Sequence, residues 1–505
     1  MSVRKPSVPH VPNAISAVLI ASLVVPQLAC AADLTSFKTG DLVVSTVVNT
    51  GSHQLDSAAP IVLQQLQLGA NGRTATQAGS LTLPQTTVGA NSAISGEFGS
   101  ASEGILQLSA DGQFLTMVGY GVNANTFNSA SPATYGTAAL GQTVSLTSAQ
   151  QTGTVVTTVP RVVALIAANG SVDTSTALTG VYNQNNPRSA ATVDGSSFYV
   201  SGQGASKTDS SQGVYYATRG STTATAIDTS TDTRVVSIFN TGSGNTLYVS
   251  RDQNPPGSGA QNNTNVSSLT NAAGGLPTSS AGLVTTHVTP PASPFSSGGN
   301  NGSINLTAGL ANGVNNARIG SFVYLSPESY FFASPDVLYV ADSGQPKNGN
   351  ANKAALGEGG LQKWVYTNGT WTLDYDLVAG LDLVNNAKAN SSTPSAPGVT
   401  GLFGLTGEVV DGQVELFATS YGLNELSQSS LYEITDNLSF TSISQTASES
   451  FTTLYSDPTG NTLIRGVSFA PTAAVPEPGT LAFSLAGLLP LFAAYRRRAR
   501  GKQEA

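Results

Sequence analysis

Residues 104–120 read GILQLSADGQFLTMVGY. Two largely apolar runs, 104–109 and 114–120, flank the pair Asp111 and Gly112. An Asp-Gly pair tolerates the positive backbone angles of a tight turn, and the flanking runs have high β-propensity. The stretch therefore predicts a β-hairpin.

Four further hairpins with the same pattern follow along the chain, at 188–201, 235–250, 330–342 and 405–420. More strands are predicted after the five hairpins, at 161–167, 213–219, 282–288, 360–367, 370–377, 430–435 and 439–445. The chain thus contains five units of up to four strands. Repeated four-stranded units are typical of a β-propeller, because each twisted blade buries its faces only against its neighbours.

The two ends of the body supply a sixth unit. Three strands are predicted near its start, at 41–48, 61–68 and 80–83, and one unassigned strand lies near its end, at 463–469. If that last strand is the innermost member of the N-terminal sheet, the ring closes. We therefore predict an all-β fold, a six-bladed β-propeller closed by its C-terminal strand. Seven blades are the alternative because the loops are long, and a β-helix or a sandwich is the third.

Two stretches depart from this regular pattern. Residues 252–280 and 290–316 are rich in Gly, Asn, Ser and Pro. Long segments of this composition are usually loops without a packed core. We expect both to be mobile surface loops.

The first 31 residues have the layout of a secretory signal peptide. Arg4 and Lys5 precede the apolar run 14–25, and small residues surround Cys30. Cleavage after residue 31 would leave a body, 32–474, that contains no cysteine, so its stability must come from packing and strand pairing. Lipidation of Cys30 is the alternative, although the glutamine three residues before it is not the aliphatic residue that a lipoprotein signal favours.

The last segment, 475–505, combines Pro476, Glu477 and Pro478 with an apolar run at 481–495 and a tail of arginines. A helix over 481–495 would be about 22 Å long, short for a hydrocarbon core of about 30 Å. The arginines would be held on the cytoplasmic side of the membrane.

This end resembles the PEP-CTERM sorting signal of Gram-negative bacteria. In that family a membrane protease-transpeptidase called exosortase cuts near the Pro-Glu-Pro motif and releases or transfers the protein outward. The resemblance implies an exosortase-type partner, transient anchoring in the inner membrane and a final location at the cell surface or outside the cell. A plain single-span anchor is the alternative.

The charge of the chain excludes some classes of protein and of binding partner. Only 10% of the residues are charged, and the body keeps 14 of the 21 basic and 27 of the 29 acidic residues, a net charge of −13. This composition argues against a nucleic-acid partner, a multi-span membrane protein and a coiled coil. It is compatible with bound calcium.

The body also resembles a group of bacterial secreted β-propeller proteins, some of them with PEP-CTERM tails, that have no settled activity. The resemblance follows from short pieces in the same order, at 102–104, 109–112, 188–189, 213–215, 247–250, 330–332, 338–342, 360–364 and 465–467. The pieces are short, but their order extends over almost the whole body. The resemblance implies the propeller fold and export, without naming a ligand.

Catalytic motifs are missing from the sequence. It has no Gly-x-Ser-x-Gly elbow, no Walker loop and no His-Glu-x-x-His. Beyond the signal peptide its histidines are His53 and His287, far apart and near predicted loops. A zinc site, a cysteine nucleophile and a histidine-driven hydrolase are therefore disfavoured.

Five charged residues are candidates for ligand or calcium binding. Glu103 precedes a predicted innermost strand and Asp342 ends a second strand, so either could face the channel. Arg188 occupies a matching position, where it could recognise a carboxylated sugar or form a structural salt bridge. Asp374 and Asp376 alternate on one strand and could contribute to calcium binding. The acids Asp111, Asp194 and Asp411 are explained by their Asp-Gly turns.

The only tryptophans, Trp364 and Trp371, flank a predicted two-residue turn at Asn368 and Gly369. That turn places Trp371 opposite Tyr366. Exposed, the rings would form a platform for stacking sugars, whereas burial between blades would make them structural. Burial is the interpretation that the sequence favours.

Three functional classes follow. The first is an exported, noncatalytic binding or matrix protein of the exopolysaccharide layer. The second is a calcium-dependent propeller hydrolase, lactonase-like or phytase-like, and the third is a structural coat component. Three or more carboxylates at one channel mouth would favour the enzyme, and an exposed aromatic patch would favour carbohydrate binding.

The sorting interpretation predicts a shortened mature protein. Mass spectrometry of surface or secreted protein from the native host should find no peptide from residue 481 onward, because the segment is removed after export. Recovery of peptides that contain the arginines at 496–500 from that material would contradict it.

Overall fold

The computed structural model describes the residues at 33–48, 55–206, 208–240, 242, 244–252, 264–280, 283–288, 327–344, 359–381, 383, 398–422, 427–457 and 462–473. They belong to one compact unit, Ala32–Ala505. The predicted signal peptide, the sorting segment 475–505 with its apolar run 481–495, the stretch 290–316 and His53 lie outside the described residues. Among the helices in the described ranges, none is long and apolar enough to cross a membrane.

The described part is all-β apart from one short α-helix, α1 (Ala124–Ala130), and short 3₁₀ turns. Its strands in chain order are β1 Leu42–Val48, β2 Ala58–Leu68, β3 Ala75–Thr82, β4 Ser95–Glu97, β5 Gln107–Leu108, β6 Phe114–Tyr120, β7 Arg161–Ala167, β8 Val172–Leu178, β9 Pro187–Ala191, β10 Ser197–Gly202, β11 Gly213–Thr218, β12 Thr225–Asp228, β13 Val236–Asn240, β14 Asn245–Asp252, β15 Thr264–Thr270, β16 Leu283–Val288, β17 Pro327–Ser334, β18 Val337–Asp342, β19 Gly360–Thr367, β20 Thr370–Leu377, β21 Val399–Val410, β22 Gln413–Gly422, β23 Ser430–Asn437, β24 Thr452–Ser456 and β25 Thr462–Phe469.

These strands form antiparallel sheets of four. Sheet 1 has the order β25-β1-β2-β3, and sheet 2 has the order β5-β6-β7-β8. Sheets 3 to 6 each use four consecutive strands, β9 to β12, β13 to β16, β17 to β20 and β21 to β24. The short strand β4 joins β2 to β6, so that sheets 1 and 2 are continuous. The arrangement is propeller-like.

The predicted pairing of the C-terminal strand with the N-terminal sheet is present. β25 runs antiparallel to β1, with Val44 opposite Val467 and Val47 opposite Leu463. The register shifts by one residue between Val44 and Thr46, which marks a β-bulge. Strands from the two ends of the body thus form one sheet.

Six apolar clusters of the described core each join two successive sheets. Representative buried pairs, from sheets 1 and 2 round to sheets 6 and 1, are Leu63 with Ile166, Val163 with Val200, Val214 with Val249, Tyr248 with Leu338, Tyr339 with Leu416, and Phe417 with Ile464. The last pair connects the sixth sheet back to the first. Every sheet therefore buries both faces against its neighbours.

A hydrogen bond donated by a side-chain hydroxyl group recurs at the junctions between sheets. In five of the six sheets, a Ser or Thr of the second strand donates to a backbone carbonyl at the innermost strand of the next sheet. The pairs are Ser45 with Gly104, Thr116 with Ala190 at 2.7 Å, Ser201 with Arg234 at 2.7 Å, Ser250 with Glu328 at 3.0 Å, and Thr419 with Arg465 at 2.5 Å. Sheet 5 has Ala341 where the pattern Leu-Tyr-Val-Ser of sheet 4 has Ser250. Each such bond contributes about 1 kcal/mol.

Glycine is required where the innermost strands meet most closely. A Cβ atom on Gly466 would lie 2.3 Å from the Leu106 nitrogen, and one on Gly404 would lie 2.9 Å from the Arg465 carbonyl oxygen. Backbone therefore packs against backbone at both sides of β25. A larger residue at either position would push the strands apart.

One loop prediction and one strand prediction are wrong. β15 lies inside the stretch 252–280 that was expected to be a loop, because its sequence TNVSSLT is polar but still pairs along its length with β14. The predicted strand 439–445 is instead a turn followed by a 3₁₀ helix, Ile443–Thr446, and the fourth strand of sheet 6 is β24. A cap made by Ser442 and Gln445 stabilises that helix.

The Asp-Gly turns differ in geometry. At Asp411-Gly412 both residues have positive φ, 50° and 79°, as expected for a two-residue hairpin turn. At Asp194 only the following glycine, Gly195, has positive φ. There the Asp194 carboxylate accepts the Ser196 backbone N–H at 2.9 Å, an Asx turn. The dipeptide therefore predicts a turn without fixing its type.

Candidate functional site

The structure separates the five predicted site residues. Glu103 and Arg188 belong to a buried ionic cluster at the innermost strands. Asp342 and Asp376 flank Gln362 within sheet 5, and Asp374 lies beside Lys363. They do not form one site.

The inner cluster consists of Glu103, Arg188, Asp232, Arg234, Glu328 and Arg465. Its members lie in or beside the innermost strands of sheets 1 to 5, and each is at most 8% exposed. Arg188 Nη1 lies 3.2 Å from Asp232 Oδ2, and Arg234 Nη1 lies 3.7 Å from Glu328 Oε2. Oppositely charged side chains thus tie neighbouring sheets together at the centre.

Burial sets the direction of the pKa shifts of Glu103 and Arg188. It raises the pKa of Glu103 to about 7, although a hydrogen bond from Tyr120 and the nearby Arg161 and Arg465 act in the opposite direction. Burial and the adjacent Arg234 lower the pKa of Arg188 to about 10. Charges that are this costly to bury stabilise the fold only as pairs.

Glu103 also anchors an insertion, 121–160, between β6 and β7. Glu103 accepts the backbone N–H of Glu97 at 3.2 Å, and Glu97 in turn accepts the N–H of Gly141 at 2.9 Å. Arg161, fully buried, donates to the carbonyls of Thr143 and Tyr182 at 2.9 and 2.8 Å. The insertion is therefore docked on sheets 1 and 2.

Sequence reasoning missed Glu97 and Arg161, although one signal was visible. Arg161 begins the apolar strand RVVALIA, where a charged residue needs buried partners. Its partners come from the insertion and from the loop that follows β8, and no sequence pattern could identify them. Helix α1 within the insertion was not predicted either.

Gln362 links the two buried acids of sheet 5. Its Nε2 donates to Asp342 Oδ2 at 2.7 Å, and Asp376 is its cross-strand partner. Asp342 Oδ1 accepts the Gly344 N–H at 2.8 Å. Within the described ranges, no three or more His, Cys, Asp or Glu side chains are grouped so that they could hold a metal ion.

An aromatic row, defined as Tyr366, Trp371, Phe332 and Phe239, crosses from sheet 5 to sheet 4. The centroid distances along it are 5.4 Å, 6.1 Å and 5.3 Å. Tyr366 is 43% exposed, Trp371 and Phe239 are half-buried, and Phe332 is buried. The row is therefore exposed to solvent at Tyr366 and packed into the core at Phe332.

The predicted arrangement of the tryptophans is confirmed in part. Trp371 is opposite Tyr366 across the turn, and both turn residues have positive φ. Trp364 is buried between sheets 4 and 5, as the sequence favours, and its Nε1 donates to Gln362 Oε1 at 2.9 Å, whereas Trp371 is only half-buried. One tryptophan is thus structural and the other reaches the surface.

Comparison with known proteins gives little similarity. No family model matches the chain, and no curated protein matches it. The solved structures that match include the crystal structure of an ancestral GH74 enzyme, with 13% identity and a TM-score of 0.33. The match covers 83% of this chain and 41% of that one, so the chain spans less than half the length of that structure. This similarity assigns no function.

The buried Glu103 predicts a dependence of stability on pH. Because its pKa is raised in the folded state, folding retains its proton, and the free energy of unfolding falls as the pH rises from 5 towards 8. Glu103→Gln should reduce that fall by up to about 3 kcal/mol. Urea denaturation at pH 5, 6, 7 and 8 measures it, with Asp336→Asn as an exposed control. Equal pH slopes for wild type and Glu103→Gln would contradict the buried, protonated state.

Proposed function

We propose that this chain is an exported, six-bladed β-propeller that binds an extracellular glycan at the aromatic row without turning it over. Six blades are supported by the four-stranded sheets, by the apolar clusters that join each sheet to the next, and by the pairing of β25 with β1. A propeller places hairpin turns at the rim of its faces, where ligands have access.

One observation carries the binding proposal, the half-exposed aromatic pair at the turn of β19 and β20. Tyr366 and Trp371 lie 5.4 Å apart and are tilted by 42°. Trp371 also contacts the buried ring of Phe332, so the pair is held by the core rather than by the turn alone. Rigid aromatic faces of this kind bind the apolar faces of sugar rings at little cost in side-chain entropy.

Charge indicates the kind of glycan. The body carries a net charge of −13, and the exposed Asp336 lies next to the pair, where its carbonyl accepts the Tyr366 N–H at 2.8 Å. A bare polyanion would be repelled by this charge. A neutral or calcium-bridged polysaccharide is the better ligand, and its repeated units allow weak contacts to add up.

The proposal also includes the final location of the protein, at the cell surface or outside the cell. An N-terminal export signal and a C-terminal Pro-Glu-Pro segment are what an exosortase-type enzyme requires of a protein destined for the cell surface or the medium. The residues that support this are Pro476, Glu477, Pro478 and the apolar run 481–495. A glycan-binding propeller in the exopolysaccharide layer would use such an address.

The calcium-dependent hydrolase is the competing function. It requires several carboxylates at one accessible position, whereas the described residues place Glu103 in one buried network and Asp342 and Asp376 in another. The binding assay therefore includes lactone and phosphate-ester substrates with calcium. Turnover without retention on glycan would favour the hydrolase.

The proposal predicts that loss of either ring of the aromatic pair weakens binding. Trp371→Ala and Tyr366→Ala should each weaken retention on insoluble neutral polysaccharide at least about tenfold, since a lost stacking contact removes about 1.4 kcal/mol. Pull-down isotherms with and without calcium measure the affinity.

The matched control is Tyr216→Ala. Tyr216 pairs with Tyr199 at the same centroid distance, 5.4 Å, but in sheet 3. The Tyr216→Ala variant should bind the polysaccharide like the wild type. Circular dichroism should confirm that this variant, Trp371→Ala and Tyr366→Ala all fold. Unchanged binding by Trp371→Ala, or an equal loss in Tyr216→Ala, would contradict the site.

A further inference from the structure

A buried amine and a buried carboxylate face each other between sheets 5 and 6. Lys363 on β19 and Asp436 on β23 both have fully buried side chains, and Lys363 Nζ lies 3.2 Å from Asp436 Oδ2. They are 73 residues apart in sequence and belong to different sheets. The glycan site and the inner cluster use neither residue.

The surroundings fix both groups and exclude water. Tyr375 donates to the two Asp436 oxygens at 2.8 Å, and Tyr339 donates to Oδ2. The same two rings lie 5.1 and 5.7 Å from Lys363 Nζ. Nζ also donates to Tyr375 and to the carbonyls of Asn437, Leu438 and Phe440 at 2.8 to 3.2 Å. Neither side chain can rotate away without breaking several contacts.

A second acid touches the carboxylate. Glu449 is hydrogen-bonded to Asp436, and burial followed by the Asp436 charge raises the pKa of Glu449 to about 8. Burial also lowers the pKa of Lys363. Asp374 is the other charged group that faces Lys363, and burial raises its pKa as well. The cluster thus contains an amine, a carboxyl group and a proton donor.

We propose that Lys363 and Asp436 form an intramolecular amide bond, with Glu449 as the general acid. Lys363 Nζ first passes one proton to the Asp436 carboxylate. Its lone pair then attacks Asp436 Cγ, and a C–N bond forms as the C–OH bond of the carboxyl group breaks. Glu449 gives its proton to the departing hydroxyl group and regains one from Nζ, so that one water molecule leaves. The step needs no oxidant and no cofactor.

Proximity and desolvation favour this step. Lys363 Nζ lies 3.2 Å from Asp436 Oδ2, which is bonded to the Cγ atom that it attacks, and groups held this close react as if at very high concentration. A buried ion pair also carries a large desolvation cost, which a neutral amide removes. The bond would join sheet 5 to sheet 6 in a body that has no cysteine for a disulfide.

The same contacts would also hold a lysine ammonium as an ion pair, and this state is the outcome that contradicts the proposal. The two states differ in mass by one water molecule. Peptide mapping of the denatured full-length protein distinguishes the amide from the ion pair. Processing of the termini does not affect this comparison. The inference does not depend on glycan binding.

We expect the map to contain a branched peptide that joins the segments around 363 and 436, lighter than their sum by one water. Lys363→Met should abolish it, and Glu449→Gln should slow its formation after synthesis by about 100-fold, the usual contribution of a general acid. The exposed Lys38 provides the control peptide, which should be unmodified.

The decisive measurement is the peptide map of the wild-type protein. The test therefore remains valid even if the Lys363→Met protein fails to fold. Separate peptides with their full masses in the wild type would overturn the proposal. A branched peptide that forms equally fast in Glu449→Gln would overturn the role of Glu449.

Discussion

The antiparallel pairing of β25 with β1 is the contact on which the other packing depends. Without β25, sheet 1 would lose its innermost strand, and β1 would present an unpaired edge. Sheet 6 would lose Ile464 and Val467, against which Phe417 packs. Without this pairing, the apolar faces of sheets 1 and 6 that are buried against each other in the described residues would be exposed to water.

The bulge in that pairing explains several other features. Arg465 and Gly466 lie opposite Ser45 at the register shift, and the Ser45 hydroxyl accepts the Gly466 N–H at 2.8 Å. Thr419 reaches the Arg465 carbonyl from sheet 6, and Gly466 lets β25 approach the backbone before β5. The Arg465 side chain then joins the inner cluster, whose charges are stabilised by opposite charges from neighbouring sheets.

The inner cluster is suited to stabilising the fold rather than to binding an exchangeable ligand. Its charged groups are buried and mutually bonded, and the insertion 121–160 is held against them through Glu97 and Arg161. The aromatic row lies away from it, at a hairpin turn whose rings are fixed by the core. Substitutions in this exposed turn should therefore leave the inner cluster intact.

Local patterns in the sequence predicted local structure well. Asp-Gly and Asn-Gly turns located the hairpins, and the two-residue turn placed Trp371 opposite Tyr366. β15 was missed because a polar strand is specified by its partners rather than by its own residues. For the same reason, the sequence could nominate Glu103 and Arg188 but could not show that they share a cluster, or that Asp374 faces Lys363.

The register of β25 against β1 can be measured directly by cysteine cross-linking in a Cys30→Ser background. Val44 and Val467 are cross-strand partners, so cysteines there lie within disulfide range, whereas Val47 is three residues along β1, about 10 Å from the partner position. Mild oxidation of the folded protein should therefore cross-link the Val44→Cys/Val467→Cys variant and leave both thiols free in Val47→Cys/Val467→Cys. A Val44→Cys/Val467→Cys protein that keeps its free thiols, or equal cross-linking in both variants, would show that the ring does not close through this pairing.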